Sequence, residues 1–335
     1  MKDGIYTLAN DKVYDQLVAL LNSIEENAGR DIPICVIAYD DQLEQVGAEI
    51  AKRDNVTLLN DPELFRCWED FSLRVWQAHP TALEFWRQQG IQTKFYRVGE
   101  NHRYCAFDPR APFDRFIYLD ADTLLMKPFD FMFQQLDASD FAVYDFQHQD
   151  PSHIFNVKSP RLLEIFGEDR IASEIFCSGC YGARRGLFPQ EDRERVIAEL
   201  QNGDAEVLYL GAPNQSVLNY MVMKTERQVY NFALNLPKPA IAGNSATSPH
   251  FEARDAVLYD KGRRLAYLHY IGISSKQFRR LCSGENLDFP YRDIFLHYRY
   301  LHDPESRPQL TGKPKYYKQP PSLQKRLLRK LRLVR

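Results

Sequence analysis

Two acids one residue apart, Asp120 and Asp122, follow the apolar run RFIYL in FDRFIYLDADTLLMKPFD, residues 113–130. Carboxylates this close repel each other unless something positive sits between them. Along an extended segment the side chains of residues i and i+2 point to the same side. Both acids can therefore reach one cation, directly or through water. Mg²⁺ and Mn²⁺ favour oxygen ligands and commonly share their coordination sphere with substrate phosphates. The plainer alternative is that the two acids only cap the next turn.

The pair must be positioned by the elements around it. RFIYL (115–119) reads as a buried strand with Asp120 at its carboxyl end, the edge at which open α/β sheets bind ligands. GIYTLA (4–9) reads as a first strand. Asn10 or Asp11 then caps a helix on which Val13, Leu17, Leu20, Leu21 and Ile24 recur at helical spacing, closed by Gly29. DIPICVIAYD (31–40) is a second buried strand, which puts Asp40 at its end. QLEQVGAEIAKRD (42–54) reads as helix and NVTLLN (55–60) as a third strand. This β-α-β-α-β opening predicts a parallel, Rossmann-like sheet. Residues 61–98 read as helix-rich, with Phe65, Trp68, Phe71, Trp76, Phe85 and Trp86 as core candidates. Further strands are expected near 140–146 and 176–183, and helices near 190–201 and from about 213. VLYDKGRRLAYLHY (257–270) reads as a hairpin turning at DKGR, and GNSATSPHFEARD (243–255) as a loop. From about Asp303 the chain turns rich in Pro and Lys. One domain is therefore expected over 1–303, followed by a distinct segment over 304–335.

The chain has 335 residues, 44% hydrophobic and 26% charged, with a formal net charge of −2. That balance suits a globular protein and argues against wholesale binding to nucleic acid. No apolar run reaches the roughly 20 residues of a membrane span. MKDGIYTLAND lacks the apolar core of a signal peptide, and the six cysteines are scattered, apart from Cys177 and Cys180. Reduced thiols and a cytoplasmic location are the expectation. The end of the chain differs: SLQKRLLRKLRLVR (322–335) holds Lys and Arg but no acid. Leu323, Leu327, Leu331 and Val334 share one helical face there, a basic amphipathic pattern of the kind that lies on anionic membranes. A peripheral contact with the inner face of a membrane is expected from it.

Two other chemistries are weaker fits. Phosphatases of the haloacid-dehalogenase type carry DxDx(T/V) after their first strand. Here Leu124 stands two residues after Asp122, Thr123 comes one residue early, and the motif lies deep in the chain. Cys177-Ser-Gly-Cys180 invites a zinc or redox reading. A single CxxC with no second pair is better read as two buried thiols on a strand.

FDRFIYLDADTLLMKPF resembles the DxD segment of nucleotide-sugar glycosyltransferases of the GT-A fold, and most closely that of glycosyltransferase family 8. Other segments match in order. TLANDKVY (7–14) is similar to the family's first strand and nucleotide-binding loop. Arg103 stands at the spacing of its donor-contacting Arg. FCSGCYGAR (176–184) resembles FNxGVxLIN, NQSVLN (214–219) resembles DQDxLN, and LHYIGISSK (268–276) resembles HxxGxxKPW. The sequence departs from the pattern at Cys177, at Asn214 and Ser216, and at Lys276, which comes one residue late and lacks the following Pro-Trp.

The resemblance implies an α/β GT-A fold, a mixed but mostly parallel sheet with flanking helices. It implies transfer of a sugar from a nucleotide-diphosphate sugar, such as a UDP-hexose, to a sugar or lipid-linked acceptor, with retention at the anomeric carbon. His269 would join Asp120 and Asp122 in holding Mn²⁺ or Mg²⁺. Thr7, Ala9, Asn10, Tyr14, Arg103, Ala121, Gly272 and Lys276 would contact the donor, with Asp40 at the nucleoside. Ser178, Gly179 and Asn214 would line the sugar and acceptor pocket, and Gln215 would sit under the reacting carbon. An inverting route would instead need a carboxylate base, for which Asp145, Glu174 and Glu252 are candidates. A nucleotide-sugar or glycan-binding protein of the same fold, with its turnover lost, is the alternative. A nucleotidyltransferase fits poorly, because the first strand lacks a Gly-rich, Arg-containing loop.

Overall fold

The computed structural model describes residues 1–317, so the expected membrane-binding segment 322–335 lies outside the described residues. Four parallel strands start the central sheet: β1 (Asp3–Ala9), β2 (Ile34–Ala38), β3 (Val56–Leu59) and β4 (Arg115–Leu119), in the order β3-β2-β1-β4. All five residues of β2 are buried, as are six of the seven in β1. That is the near-continuous apolar pattern that strands covered on both faces require. β5 (Thr123–Leu125) leaves the sheet just after Asp122. β6 (Phe141–Val143), β7 (Cys180–Arg184) and β8 (Val229–Asn231) complete it, giving β3-β2-β1-β4-β7-β6-β8. β7 runs antiparallel to both β4 and β6, while β8 is parallel to β6. The sheet is thus mixed, with a parallel half that carries the edge of interest.

Helices cover both faces. The helix Tyr14–Ala28 packs Leu17, Leu20, Leu21 and Ile24 against Ile5, Val36 and Ile117. Asn10 caps the short turn before it by accepting the Lys12 amide, and Gly29, at φ +105°, ends it. On the other face, Trp68, Phe71 and Trp76 of the helix Pro62–Ala78 share a core with Tyr6, Phe116, Tyr118 and Tyr181. The helix Pro213–Lys224 is buried along almost its whole length. Its polar residues must therefore find partners inside the protein.

The region after β8 differs from the expected hairpin and loop. β9 (Glu252–Arg254), inside the stretch read as a loop, pairs with β10 (Val257–Asp260), which pairs in turn with β11 (Arg263–Arg264) across the DKGR turn. β12 (Tyr267–His269) does not continue that hairpin; it pairs antiparallel with β5. The period-2 pattern is the same in either case, so sequence could not distinguish a hairpin arm from a strand recruited elsewhere. Beyond Asp303 the chain still packs on this body. β13 (Leu287–Asp288) pairs with β14 (Lys315–Tyr316), and Tyr317 is buried near Phe289. No helix among the described residues is long and apolar enough to cross a membrane.

Candidate active site

Asp120 leaves β4 with its amide bonded to the Gly179 carbonyl (2.8 Å). Its own carbonyl accepts from the amide (3.0 Å) and hydroxyl (2.7 Å) of Thr123, which closes the turn Asp120-Ala121-Asp122-Thr123. The turn delivers the chain into β5, and there the register does the long-range work. His269 pairs with Thr123, next to Asp122, and the Tyr270 amide donates to the Asp122 carbonyl (3.0 Å). His269 Nε2 lies 3.3 Å from Asp122 Oδ1. One ligand atom each from Asp120, Asp122 and His269 falls within 4.8 Å of the others, the one such group found among the described residues. Burial would lower the His269 pKa, but Asp122 beside it holds the imidazole well above its ordinary value. The Cys177 thiol acts in the same direction.

Room for this cluster depends on Gly179. A Cβ there would sit 2.4 Å from His269 Cε1 and 3.0 Å from Asp120 Oδ2. The cradle thus excludes any larger residue, and its donor set of two carboxylates and an imidazole suits a hard or borderline divalent ion.

Arg103 is not free to reach outward. It is buried, its Nη2 bonds Asp120 Oδ1 (3.0 Å), its Nη1 bonds both the carbonyl (3.1 Å) and hydroxyl (3.2 Å) of Ser178, and its Nε bonds the Glu100 carbonyl (3.1 Å). The guanidinium also lies over the Tyr118 ring, and the Tyr118 hydroxyl donates to the same Asp120 oxygen (3.1 Å). In this structure Arg103 therefore fixes Asp120 and the Ser178 loop. Arg103→Ala is expected to destabilise the fold by about 2–4 kcal/mol, since it leaves Asp120 without its cation and the Ser178 and Glu100 carbonyls without their donor. Urea unfolding of the two proteins measures this, and a midpoint within error of wild type would refute it.

Glu100 carries no sequence motif. Burial pushes its carboxyl pKa up, against the pull of Arg97 and Arg103. It accepts from Arg97 (2.8 Å) and from the Asn214 side-chain amide. Spacing gave no signal for it, because the segment Val98–Phe107 is a 3-10 helix with no amphipathic stripe. Gln215 Oε1 accepts from the Ser178 amide (3.0 Å), and its Nε2 donates to the His153 carbonyl (2.9 Å). The Ser216 hydroxyl accepts from the Tyr209 amide (2.8 Å). Asn214 and Ser216, two of the departures from the resembled pattern, thus each have a built partner.

The remaining candidates divide. Asn10 donates to Asp40 (2.8 Å), joining the carboxyl ends of β1 and β2. Thr7 and Ala9 are buried in β1, and the Thr7 hydroxyl has no hydrogen-bond partner among the described residues. Ala121 is buried between the two acids. Beside Asp40 a cavity of about 460 Å³ opens at the ends of β2 and β3, lined by Phe65, Glu69, Lys94 and His102 among others. Gly272, at φ +78°, turns the chain from β12 toward the helix Ser275–Cys282. Lys276 is exposed on that helix, without an ion pair among the described residues. Tyr14 is not brought to the site. Its ring lies by the Arg299 guanidinium (5.2 Å) and lines a cleft with Lys2, Pro33 and Ile34, at the amino ends of β1 and β2. The last residue of TLANDKVY is thus held at Arg299, away from the acid cluster. Of the three candidate bases, Glu174 is paired with Arg170 (2.7 Å) and Glu252 with Arg254 (2.7 Å). Asp145 is buried, and it accepts from the Gln147 (2.7 Å) and Cys177 (3.1 Å) amides. Cys180 is a buried thiol on β7, whereas Cys177 stands before that strand and is only partly buried.

No protein-family model and no curated protein matches the chain. Solved structures do. An active-site mutant of the galactosyltransferase LgtC aligns with a TM-score of 0.52 at 13% identity, over 84% of this chain and 95% of that one. The bifunctional glycosyltransferase WbbM aligns with a TM-score of 0.52 at 13% identity, over 92% of this chain and 52% of that one, so the chain spans about half of WbbM's length. At such identity the likeness is one of fold: the chain has the GT-A fold that these glycosyltransferases share, and its acid cluster stands at the carboxyl edge of the sheet.

Proposed function

We propose that this protein transfers a sugar from a nucleoside-diphosphate sugar to an acceptor hydroxyl, as the resemblance to family 8 implies. The observation that carries the reading is the convergence of Asp120, Asp122 and His269, from segments far apart in the sequence, around a space that Gly179 keeps open. Mn²⁺ or Mg²⁺ is the group these three side chains would hold. A divalent ion bound there would offset the negative charge that develops on the departing diphosphate.

The chain's own residues do the rest. Arg103 and Tyr118 hold Asp120 in one orientation, and the β5–β12 pairing holds His269 against Asp122. Asn10 and Asp40 would meet the nucleoside. Two strand spacings, about 10 Å, separate the end of β4 from that of β2, a span that a ribose and its phosphates cover. Lys276, exposed on the helix Ser275–Cys282, would offer a cation to the diphosphate. Gln215, with both ends of its amide bonded to backbone, forms the floor beneath the reacting carbon. Retention and a UDP-hexose donor belong to this proposal. The segment 322–335 would hold the enzyme at an anionic membrane, where each Lys or Arg contributes roughly 1 kcal/mol. Liposome co-sedimentation should then show the full chain binding anionic vesicles at low salt, and a 1–320 truncation binding no better than it does neutral ones. Equal binding of both chains to anionic vesicles would refute the membrane role.

The test of sugar transfer is release of nucleoside diphosphate from UDP-, GDP- and dTDP-sugars with Mn²⁺ or EDTA. Metal-dependent hydrolysis of at least one donor is expected. Binding of a donor with no hydrolysis or transfer under any condition would favour the binding-protein alternative.

A further inference from the structure

We propose that His153 and Tyr209 form the platform on which the acceptor binds, and that the acceptor presents a pyranose ring to it. The inference rests on the sugar-transfer reading above and deepens its acceptor side. Gln215 leads to the platform from the acid cluster. One end of its amide holds Ser178, which Arg103 ties to Asp120; the other holds the His153 carbonyl. The floor of the site and the His153 turn are thus fixed by one side chain.

That turn ends two short helical turns, Gln147–Gln149 and Pro151–His153. The chain after it is fastened to the segment before the helix Pro213–Lys224. Phe155 forms an antiparallel bridge with Leu208, the Asn156 amide donates to the Val207 carbonyl (2.7 Å), and the Asn156 side chain donates to the Glu206 carbonyl (3.0 Å). The two segments bring His153 and Tyr209 edge to face, with ring centroids 6.4 Å apart at 71°. The Tyr209 amide is held by Ser216, the residue after Gln215. Its ring lies across Gly211, where a Cβ would sit 2.6 Å from the ring and its hydroxyl. Gly211 therefore gives the ring its place.

The platform is available to a ligand. The His153 side chain is 64% exposed, Tyr209 is half-buried, and the Tyr209 hydroxyl has no hydrogen-bond partner among the described residues. An aromatic ring with an apolar face and a polar tip suits a partner that is itself apolar on one side and polar at its rim. A pyranose has that form: its axial C–H bonds pack on a ring face while its hydroxyls bond outward. The His153 imidazole, the Tyr209 hydroxyl and the Asp150 carboxylate (3.9 Å from His153 Nε2) supply both donors and acceptors for adjacent hydroxyls.

The test uses the full chain, the donor identified by hydrolysis, and methyl α- and β-glycosides of glucose, galactose, mannose and xylose as acceptor probes. Nucleoside diphosphate release is measured for wild type, Tyr209→Ala, Tyr209→Phe and His153→Ala. With a glycoside that stimulates wild type, Tyr209→Ala and His153→Ala should raise the acceptor KM by about tenfold while the donor KM moves less than about twofold. Tyr209→Phe keeps the ring and should stay within about threefold of wild type. His153→Ala changes an exposed side chain, so it carries the test if Tyr209→Ala fails to fold. An unchanged acceptor KM in His153→Ala and in Tyr209→Ala where it folds, or no stimulation of wild type by any glycoside, overturns the platform. Absence of any donor hydrolysis by wild type overturns sugar transfer itself, a separate outcome.

Discussion

Asp122→Asn is expected to cut metal-dependent donor turnover by about 10²-fold or more while leaving the protein folded. Asp122 supplies the carboxylate that faces His269, with Oδ1 3.3 Å from the ring nitrogen. Asparagine keeps the shape but presents a neutral amide to the cation. Two effects on the metal-free fold oppose each other. Repulsion from Asp120 is relieved, and the ion pair with His269 is lost. Stability should therefore move little. Asp120→Asn should behave differently, because Asp120 is also the counter-charge of Arg103, which is buried and touches no other carboxylate among the described residues. Loss of turnover there should come with a stability loss of about 1–3 kcal/mol. Circular dichroism, urea unfolding and a turnover assay separate the two variants. Full activity in both would refute the metal site, and equal stability in both would refute the structural role given to Asp120.

Gly179→Ala should be nearly as damaging, although alanine adds a single methyl group. The new Cβ would lie 2.4 Å from His269 Cε1 and 3.0 Å from Asp120 Oδ2. Neither can retreat cheaply: His269 is pinned by the β5–β12 pairing, and Asp120 by Arg103 and Tyr118. Overpacking of this kind costs about 1–3 kcal/mol, and the shift it forces separates the three ligands. Gly182→Ala, three residues along the same segment, is the control, since a Cβ there would find its nearest atoms at 3.4 Å. Calorimetric titration with Mn²⁺ should show weakened binding in Gly179→Ala and near-normal binding in Gly182→Ala. Normal Mn²⁺ affinity in Gly179→Ala would contradict the packing described.

The parallel half of the fold was legible because burial on both faces writes itself into continuous apolar runs. ICVIA and RFIYL became β2 and β4, and the helices 190–201 and 213–224 fell where their periodicity put them. The two acids were legible for a local reason, their i and i+2 spacing after a strand. His269 became visible only through the resemblance, because nothing in YLHY reveals which strand it will join. What stayed hidden is mostly tertiary. Arg103 has the spacing of a donor contact, yet its guanidinium is enclosed by Asp120, Ser178 and Tyr118. Tyr14 follows the loop after β1 but turns toward Arg299, because one residue of helix phase, about 100°, decides its face. Glu100 and Tyr209 carry no motif at all. Their roles come from hydrogen bonds to Asn214 and Ser216, two of the positions at which the sequence departs from the resembled pattern.

The most direct measurement is the thermal shift produced by UDP, GDP and dTDP with MnCl₂ or EDTA, in wild type and Asp122→Asn. A ligand present at 100 times its Kd stabilises the folded state by about 2.7 kcal/mol, which a melting curve resolves easily. The account predicts that at least one nucleotide raises the melting temperature of wild type in Mn²⁺, and that both EDTA and Asp122→Asn remove most of that rise. A rise of equal size in EDTA, or the same Mn²⁺-dependent rise in Asp122→Asn, would contradict the claim that Asp120, Asp122 and His269 hold the ion that binds the diphosphate.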